Sequence, residues 1–274
     1  MSDHTNPELE ARLDEAWAAL DAGSADEALA AVRALTSEPG AAAYGGELCL
    51  LEVQAHLRAG ERAAARAAID AAAGLGARAD DPNLLLARAE LALAEWSIDE
   101  ARELYARLAE AAHPDEAAAH HERLALCHDL AGRHELADEH LLRSRGVPPD
   151  HLSPEAFEAV VVSAAEDLPA PFRALFERYA VIVDPVPDHA LATGGGRDPL
   201  ETPPDLFGLF LGASELDGSY SGEHPPHIRL FQRNLERAAE SMEHLHEEIR
   251  ITLYHELGHA LGLDEEGVDA IGLG

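Results

Sequence analysis

A pattern of small and apolar residues recurs four times in the first 150 residues. Each copy is a seven-residue segment that begins with a short turn and ends on an alanine. The aligned alanines are spaced 37, 36 and 36 residues apart: Ala28, Ala65, Ala101 and Ala137. A repeat of this length is typical of stacked helix pairs. The pattern therefore predicts an all-α helical-repeat solenoid.

Each repeat is predicted to contain a longer first helix, a turn and a second helix. The predicted first helices begin near Pro7, Ala43, Pro82 and Asp115, and the second helices begin near Ala25, Arg62, Ile98 and His134. Residues 7–146 resemble degenerate tetratricopeptide-like repeats, with Trp96 and Tyr105 as the clearest aromatic positions. The resemblance implies a concave face for a peptide or protein partner. Alternatively, the helices only stabilise the neighbouring domain.

The pattern changes after a proline-rich break at residues 146–150. Ser153 and Pro154 favour a helix start, and β-branched or alternating apolar runs predict strands at 180–183, 206–211 and 227–231. Further helices are predicted at 172–179 and 243–261, and a flexible loop is predicted at 185–205. We therefore expect an all-α repeat domain at 1–149 and a small α+β domain at 150–274.

Composition excludes several functional classes. The chain has 274 residues, 47% of them hydrophobic, and a formal net charge of −32 with no lysine. Such a charge repels phosphate, so nucleic acid and anionic membranes are not expected partners. The beginning of the sequence lacks signal-peptide features, no apolar run approaches a membrane span, and Cys49 and Cys127 follow no CxxC spacing. We expect a cytoplasmic protein.

The sequence His255-Glu256-Leu257-Gly258-His259 falls within the last predicted helix. Two histidines four residues apart project from one helical face and can bind one zinc ion, while Glu256 can accept a proton from the metal-bound water. An apolar series, offset from both histidines, is predicted to face the core. Its members are Leu245, Ile249, Leu253, Leu257 and Leu261.

A catalytic zinc needs a third protein ligand and an open position for water. Gly262 can end the helix in a left-handed conformation, which lets the chain turn back towards the metal. Glu265 occupies the third-ligand position of the HExxHxxGxxH pattern. Asp264 and Glu266 are alternatives if the turn differs by one residue, and iron, cobalt or manganese are alternatives to zinc.

Residues 153–274 resemble the compact bacterial zincin-like metallopeptidases, through the HExxHxxGxx[D/E] segment and the Ile228–Phe231 strand. The resemblance implies a short mixed sheet above an active-site helix, with His255, His259 and Glu265 as zinc ligands and Glu256 as the general base. It also implies a peptide or protein substrate. The chain departs from metzincins, because no methionine follows the motif.

Other polar residues and strand edges in the sequence could have either a functional or a structural role. Tyr220, His227 and Arg250 are candidate oxyanion donors, and a substrate could pair with an edge strand at 206–211 or 227–231. The histidines of the repeat helices, at positions 120, 121, 128, 134 and 140, are expected to be structural rather than a second metal site. The alternative to a peptidase is a non-catalytic, metal-binding protein-interaction module built on a zincin fold.

Overall fold

The computed structural model describes residues 6–193, 202–212, 225–264 and 267–268. The chain divides into two compact units. The first comprises Met1–Pro148 and His189–Pro204, and the second comprises Pro149–Asp188 and Asp205–Gly274. Residues 189–204 therefore pack with the first unit although they lie late in the sequence. The functional assignment of residues 1–149 and 150–274 remains a prediction.

The first unit contains eight consecutive helices between residues 7 and 145. They are α1 (Pro7–Asp21), α2 (Ala25–Thr36), α3 (Gly45–Arg58), α4 (Arg62–Ala71), α5 (Pro82–Ala94), α6 (Ile98–Ala111), α7 (Pro114–Leu130) and α8 (His134–Arg145). Each helix packs against the next one along the chain. The eight predicted helix starts are confirmed to within two residues. Buried leucines and alanines lie between neighbouring helices, where the small side chains allow close approach.

The turns inside the helix pairs share one backbone feature. Gly23, Gly60 and Gly132 have φ values of +84°, +73° and +70°. The equivalent position in the third pair is Trp96, with φ +59°, and it is the only non-glycine residue with positive φ in the described ranges. A left-handed conformation is costly for a residue with a Cβ atom, so the third turn needs a compensating interaction.

Contacts with His189 and Thr202 supply that interaction. The Trp96 side chain is buried, its indole N–H donates a hydrogen bond to the carbonyl of Thr202 (3.1 Å), and its ring meets the His189 ring edge-on. Residues His189–Thr193 form a short helix, α11, with Leu191 and Ala192 buried. The expectation of a loop throughout 185–205 is therefore wrong, because apolar burial orders this part. Residues 194–201 of the predicted loop lie outside the described ranges.

The second unit combines helices with a three-stranded sheet. Its helices are α9 (Pro154–Glu166), α10 (Ala170–Phe176), α12 (Gln232–Ala238) and α13 (Met242–Leu261), and its strands are β1 (Ala180–Asp184), β2 (Gly208–Leu211) and β3 (His227–Phe231). The chain is thus mostly helical, with a small mixed sheet near its C-terminal end.

The strand order is β1-β3-β2. β1 pairs parallel to β3, with Val181 opposite Ile228, and β2 pairs antiparallel to β3, with Phe210 opposite Ile228. The predicted mixed sheet is confirmed. However, β3 is the central strand and both of its edges are paired, so the expectation that a substrate could add to 227–231 is wrong. Among the strands that the structure describes, β1 and β2 lie at the edges of the sheet.

Helix α13 packs its predicted apolar face into the core of the second unit. Leu245, Ile249, Leu253 and Leu257 are buried there, and the helix contacts α9, α10, α12 and β2. These contacts fix the rotation of α13 about its axis, and therefore determine where its histidines lie.

Among the described helices, none is both long and apolar enough to cross a membrane.

Candidate metal centre on helix α13

His255 and His259 lie one turn apart on α13, and their imidazoles converge. Their Nε2 atoms are 3.0 Å apart, and the two rings meet at 77° with centroids separated by 4.7 Å. Two nitrogens bound to one tetrahedral zinc at 2.0–2.1 Å would be separated by about 3.3 Å. The observed spacing therefore fits two ligands of one cation with little adjustment.

The other nitrogen of His259 fixes the protonation pattern of this ring. His259 Nδ1 lies 2.9 Å from the carbonyl oxygen of Leu263. A carbonyl can only accept a hydrogen bond, so Nδ1 carries the hydrogen and the neutral ring presents the Nε2 lone pair towards His255. A hydrogen bond of this kind orients histidines that bind metals.

Glu256 is held between α13 and the sheet. Its side chain is buried, at 5% exposure, and its Oε2 atom accepts a hydrogen bond from the backbone N–H of Phe210 (2.6 Å). The Phe231 N–H donates to the Phe207 carbonyl (2.9 Å), so alternation along an antiparallel strand points the Phe210 N–H away from β3. The Phe210 N–H, on the side of β2 that faces away from β3, therefore orients Glu256.

Gly208 allows β2 to approach α13 closely. A Cβ atom at this position would lie 2.6 Å from Thr252 Cγ2 and 3.3 Å from Glu256 Cγ. Sequence reasoning missed Gly208 and Phe210 as residues that shape the site. The available signal was a single glycine inside an apolar strand pattern, which often marks close backbone approach.

The end of α13 has the predicted geometry. Gly262 has φ +94° and caps the helix, and the buried Val268 side chain packs beside Gly258 on the returning chain. Asp264 accepts a hydrogen bond from the Gly267 N–H through Oδ1 (2.9 Å), which is a turn-stabilising role. Glu265 and Glu266 lie outside the described residues, so the third ligand stays a prediction.

Two of the three candidate oxyanion donors, Arg250 and His227, have other partners in this structure. The Arg250 guanidinium pairs with both oxygens of Glu247 (2.6 and 2.8 Å), and this hydrogen-bonded pair raises the pKa of Arg250. His227 Nδ1 lies 3.0 Å from the Pro225 carbonyl oxygen. Tyr220 lies outside the described ranges. Among the residues that the structure describes, no group of three or more histidine, cysteine, aspartate or glutamate side chains could hold a metal ion.

The HExxH pattern on α13 lies within a match to a known family. Residues 177–274 match the zincin-like metallopeptidase family. The predicted resemblance is thereby confirmed for the C-terminal region, which contains the sheet, α13 and the HExxH segment. A search of curated proteins found no match to the chain. The zincin-like match supports a metallopeptidase type of chemistry and peptide or protein substrates.

Proposed function

We propose that the chain is a zinc-dependent metallopeptidase, with His255, His259 and Glu265 as zinc ligands and Glu256 as the general base. The observation that carries the proposal is the 3.0 Å separation of the two Nε2 atoms, on a helix within the family match. The hydrogen bond from His259 Nδ1–H to Leu263 supports it, because it leaves Nε2 as the ligating atom. Asp264 or Glu266 in place of Glu265 is the open alternative.

The donor set fits zinc. Zinc accepts both imidazole nitrogens and carboxylate oxygens as ligands, and a set of three leaves one position for solvent or substrate. When bound, zinc polarises the peptide carbonyl and acidifies a coordinated water. The remaining steps belong to the side chains of the protein.

Glu256 would take a proton from the attacking water and return it to the leaving nitrogen. The Phe210 N–H supports this role in two ways. It fixes the orientation of the carboxylate, and it stabilises the negative charge that a general base needs before it accepts the proton. Burial of the side chain keeps bulk water from competing for the transferred proton.

The edge of β2 is the favoured position for an extended peptide. β2 lies directly beside Glu256, and β3 is already paired on both sides. Because the Phe210 N–H already binds Glu256, a peptide placed along β2 would pair with other outward-facing groups of the strand and run past the same carboxylate that moves the proton. Main-chain pairing of this kind recognises peptide backbone largely independently of its sequence.

We also propose that helices α1–α8 form a helical-repeat array that binds a protein partner. Support comes from two observations. Each helix packs against the next one along the chain, and the residues with positive φ in the turns recur with the spacing of the sequence repeat. The rival proposal is a non-catalytic module in which the zincin-like region binds metal without turnover. Both proposals require metal binding, so only hydrolysis separates them.

The test is cleavage of a mixed peptide library by the full chain, together with zinc analysis of the purified protein. We expect about one zinc per chain, and we expect Glu256→Gln to retain zinc while losing at least ~100-fold in cleavage rate. Glu247→Gln is the matched control on the same helix, because Glu247 pairs with Arg250 instead of β2. Zinc binding without cleavage by the wild type would favour the rival module. Absence of zinc and of the alternative metals iron, cobalt and manganese would refute both.

A further inference from the structure

Three histidines from α7 and α8 pack together in the first unit, far along the chain from the HExxH segment. His121 and His140 approach through their Nδ1 atoms, which are 3.1 Å apart. His128 and His140 are stacked, with ring centroids 5.2 Å apart and planes inclined by 12°. We call His121, His128 and His140 the histidine cluster. Sequence reasoning assigned these residues structural roles and did not bring them together.

The contact between His121 and His140 permits only certain protonation states. One Nδ1 must donate a hydrogen and the other must accept it, so at least one ring has to be neutral. If both rings were protonated, two N–H groups would point at each other between two positive charges. The same contact that joins the two helices would then become repulsive.

His128 adds a second restriction. Its side chain is 7% exposed, and its buried Nδ1 atom has no hydrogen-bond partner among the described residues. Protonation at Nδ1 would place an N–H without an acceptor in the interior, beside the stacked ring of His140. Burial of an unpaired charged donor opposes folding. His128 therefore also favours the neutral cluster.

The neighbouring charges do not offset this effect. Arg102 on α6, Arg133 before α8 and Arg143 on α8 all act against protonation of the cluster. Asp129 and Glu139 favour protonation of His128, but Asp129 already pairs with His134 (2.9 Å). His120 on α7 also disfavours a charge on His121, and Glu90 on α5 faces His120.

Burial is the largest cause of the lowered pKa values of all three residues. For His140, burial followed by His128, His121 and Arg143 lowers the pKa from 6.5 to about 4. The unfolded chain binds these protons more readily than the folded chain. The contribution of the histidine cluster to the free energy of unfolding is therefore greatest above pH 6.5, and it falls as the pH drops from 6.5 towards 4.

We propose that the histidine cluster makes the α7–α8 pair an acid-sensitive element, which is closed when the three imidazoles are neutral and opens when they are protonated. The proposal concerns only the first unit and does not depend on peptidase activity.

The test is hydrogen exchange of the full chain at pH 7 and pH 5, with rates normalised for the intrinsic pH dependence of exchange. Protection of α7 and α8 should fall roughly tenfold between the two pH values in the wild type, after allowance for the partial exposure of His140. In His140→Gln the fall should be no more than about threefold, because the histidine whose pKa burial lowers to about 4 is removed.

His113→Gln is the matched control, since His113 is an exposed histidine that precedes α7. It should retain the wild-type fall. If His140→Gln disrupts α7 and α8 already at pH 7, His121→Gln removes the other half of the same contact and replaces it in the test. An unchanged fall in the folded variant, or no fall in the wild type, would overturn the proposal.

Discussion

Replacing Trp96 with glycine should have two opposite effects on the stability of the first unit. Glycine removes the strain of φ +59° and restores the residue found in the three equivalent turns. It also deletes a buried indole, its hydrogen bond to Thr202 and its ring contact with His189. The sign of the stability change shows which effect is larger.

The magnitudes favour loss of stability. A left-handed conformation costs about 1–2 kcal/mol for a residue with a side chain, and that cost is removed. A buried tryptophan covers roughly 200 Å² of surface, and its truncation typically costs about 3–5 kcal/mol. We therefore expect Trp96→Gly to lower the free energy of unfolding of the first unit by about 1–4 kcal/mol.

Urea unfolding and hydrogen exchange together measure this prediction. The urea midpoint should fall, and the amides of α11 (His189–Thr193) should lose protection even without denaturant. Gly60→Ala is the control for strain alone, because a Cβ atom at Gly60 would meet nothing within 4 Å. A Trp96→Gly protein as stable as the wild type, with α11 still protected, would refute the anchoring role of Trp96.

Three further substitutions test separate contacts. Gly208→Ala should lower the free energy of unfolding by about 1–3 kcal/mol, because its Cβ would lie 2.6 Å from Thr252 Cγ2. Adding Thr252→Ser, which removes Cγ2, should recover part of this loss. No recovery would show that the contact with Thr252 is not the cause. Gly262→Ala should cost about 1 kcal/mol at φ +94°, and an unchanged thermal midpoint would show that the helix end adapts. Tyr105→Phe should cost about 1 kcal/mol by removing the 2.8 Å hydrogen bond to Glu90, and equal urea midpoints would assign that bond no net contribution.

Local patterns were sufficient to predict most elements of the fold. Proline at the first helical position and small-residue turns predicted where the helices of the first unit begin. The apolar series on α13 predicted the rotation of that helix, which is confirmed by the burial of Leu245, Ile249, Leu253 and Leu257. These features depend on neighbours three or four residues away, so the sequence displays them directly.

Contacts between residues that are far apart in the sequence were harder to predict. The position of β3 between β1 and β2 depends on which strands meet in space, and each strand alone has the same type of pattern. The histidine cluster likewise joins residues on two helices that share no sequence motif. On α13, the spacing of His255 and His259 revealed their convergence, but no local signal revealed that Phe210 would orient Glu256.

The placement of His189–Pro204 with the first unit has a practical consequence for dissecting the protein. The chain passes between the units three times, and the segment matched at 177–274 includes residues whose packing partners are early helices. A recombinant fragment starting at residue 150 would expose Leu191 and Ala192 to solvent. Isolating the C-terminal half as a soluble fragment therefore calls for replacing the stretch from His189 to Pro204 with a short polar linker, rather than for a single cut.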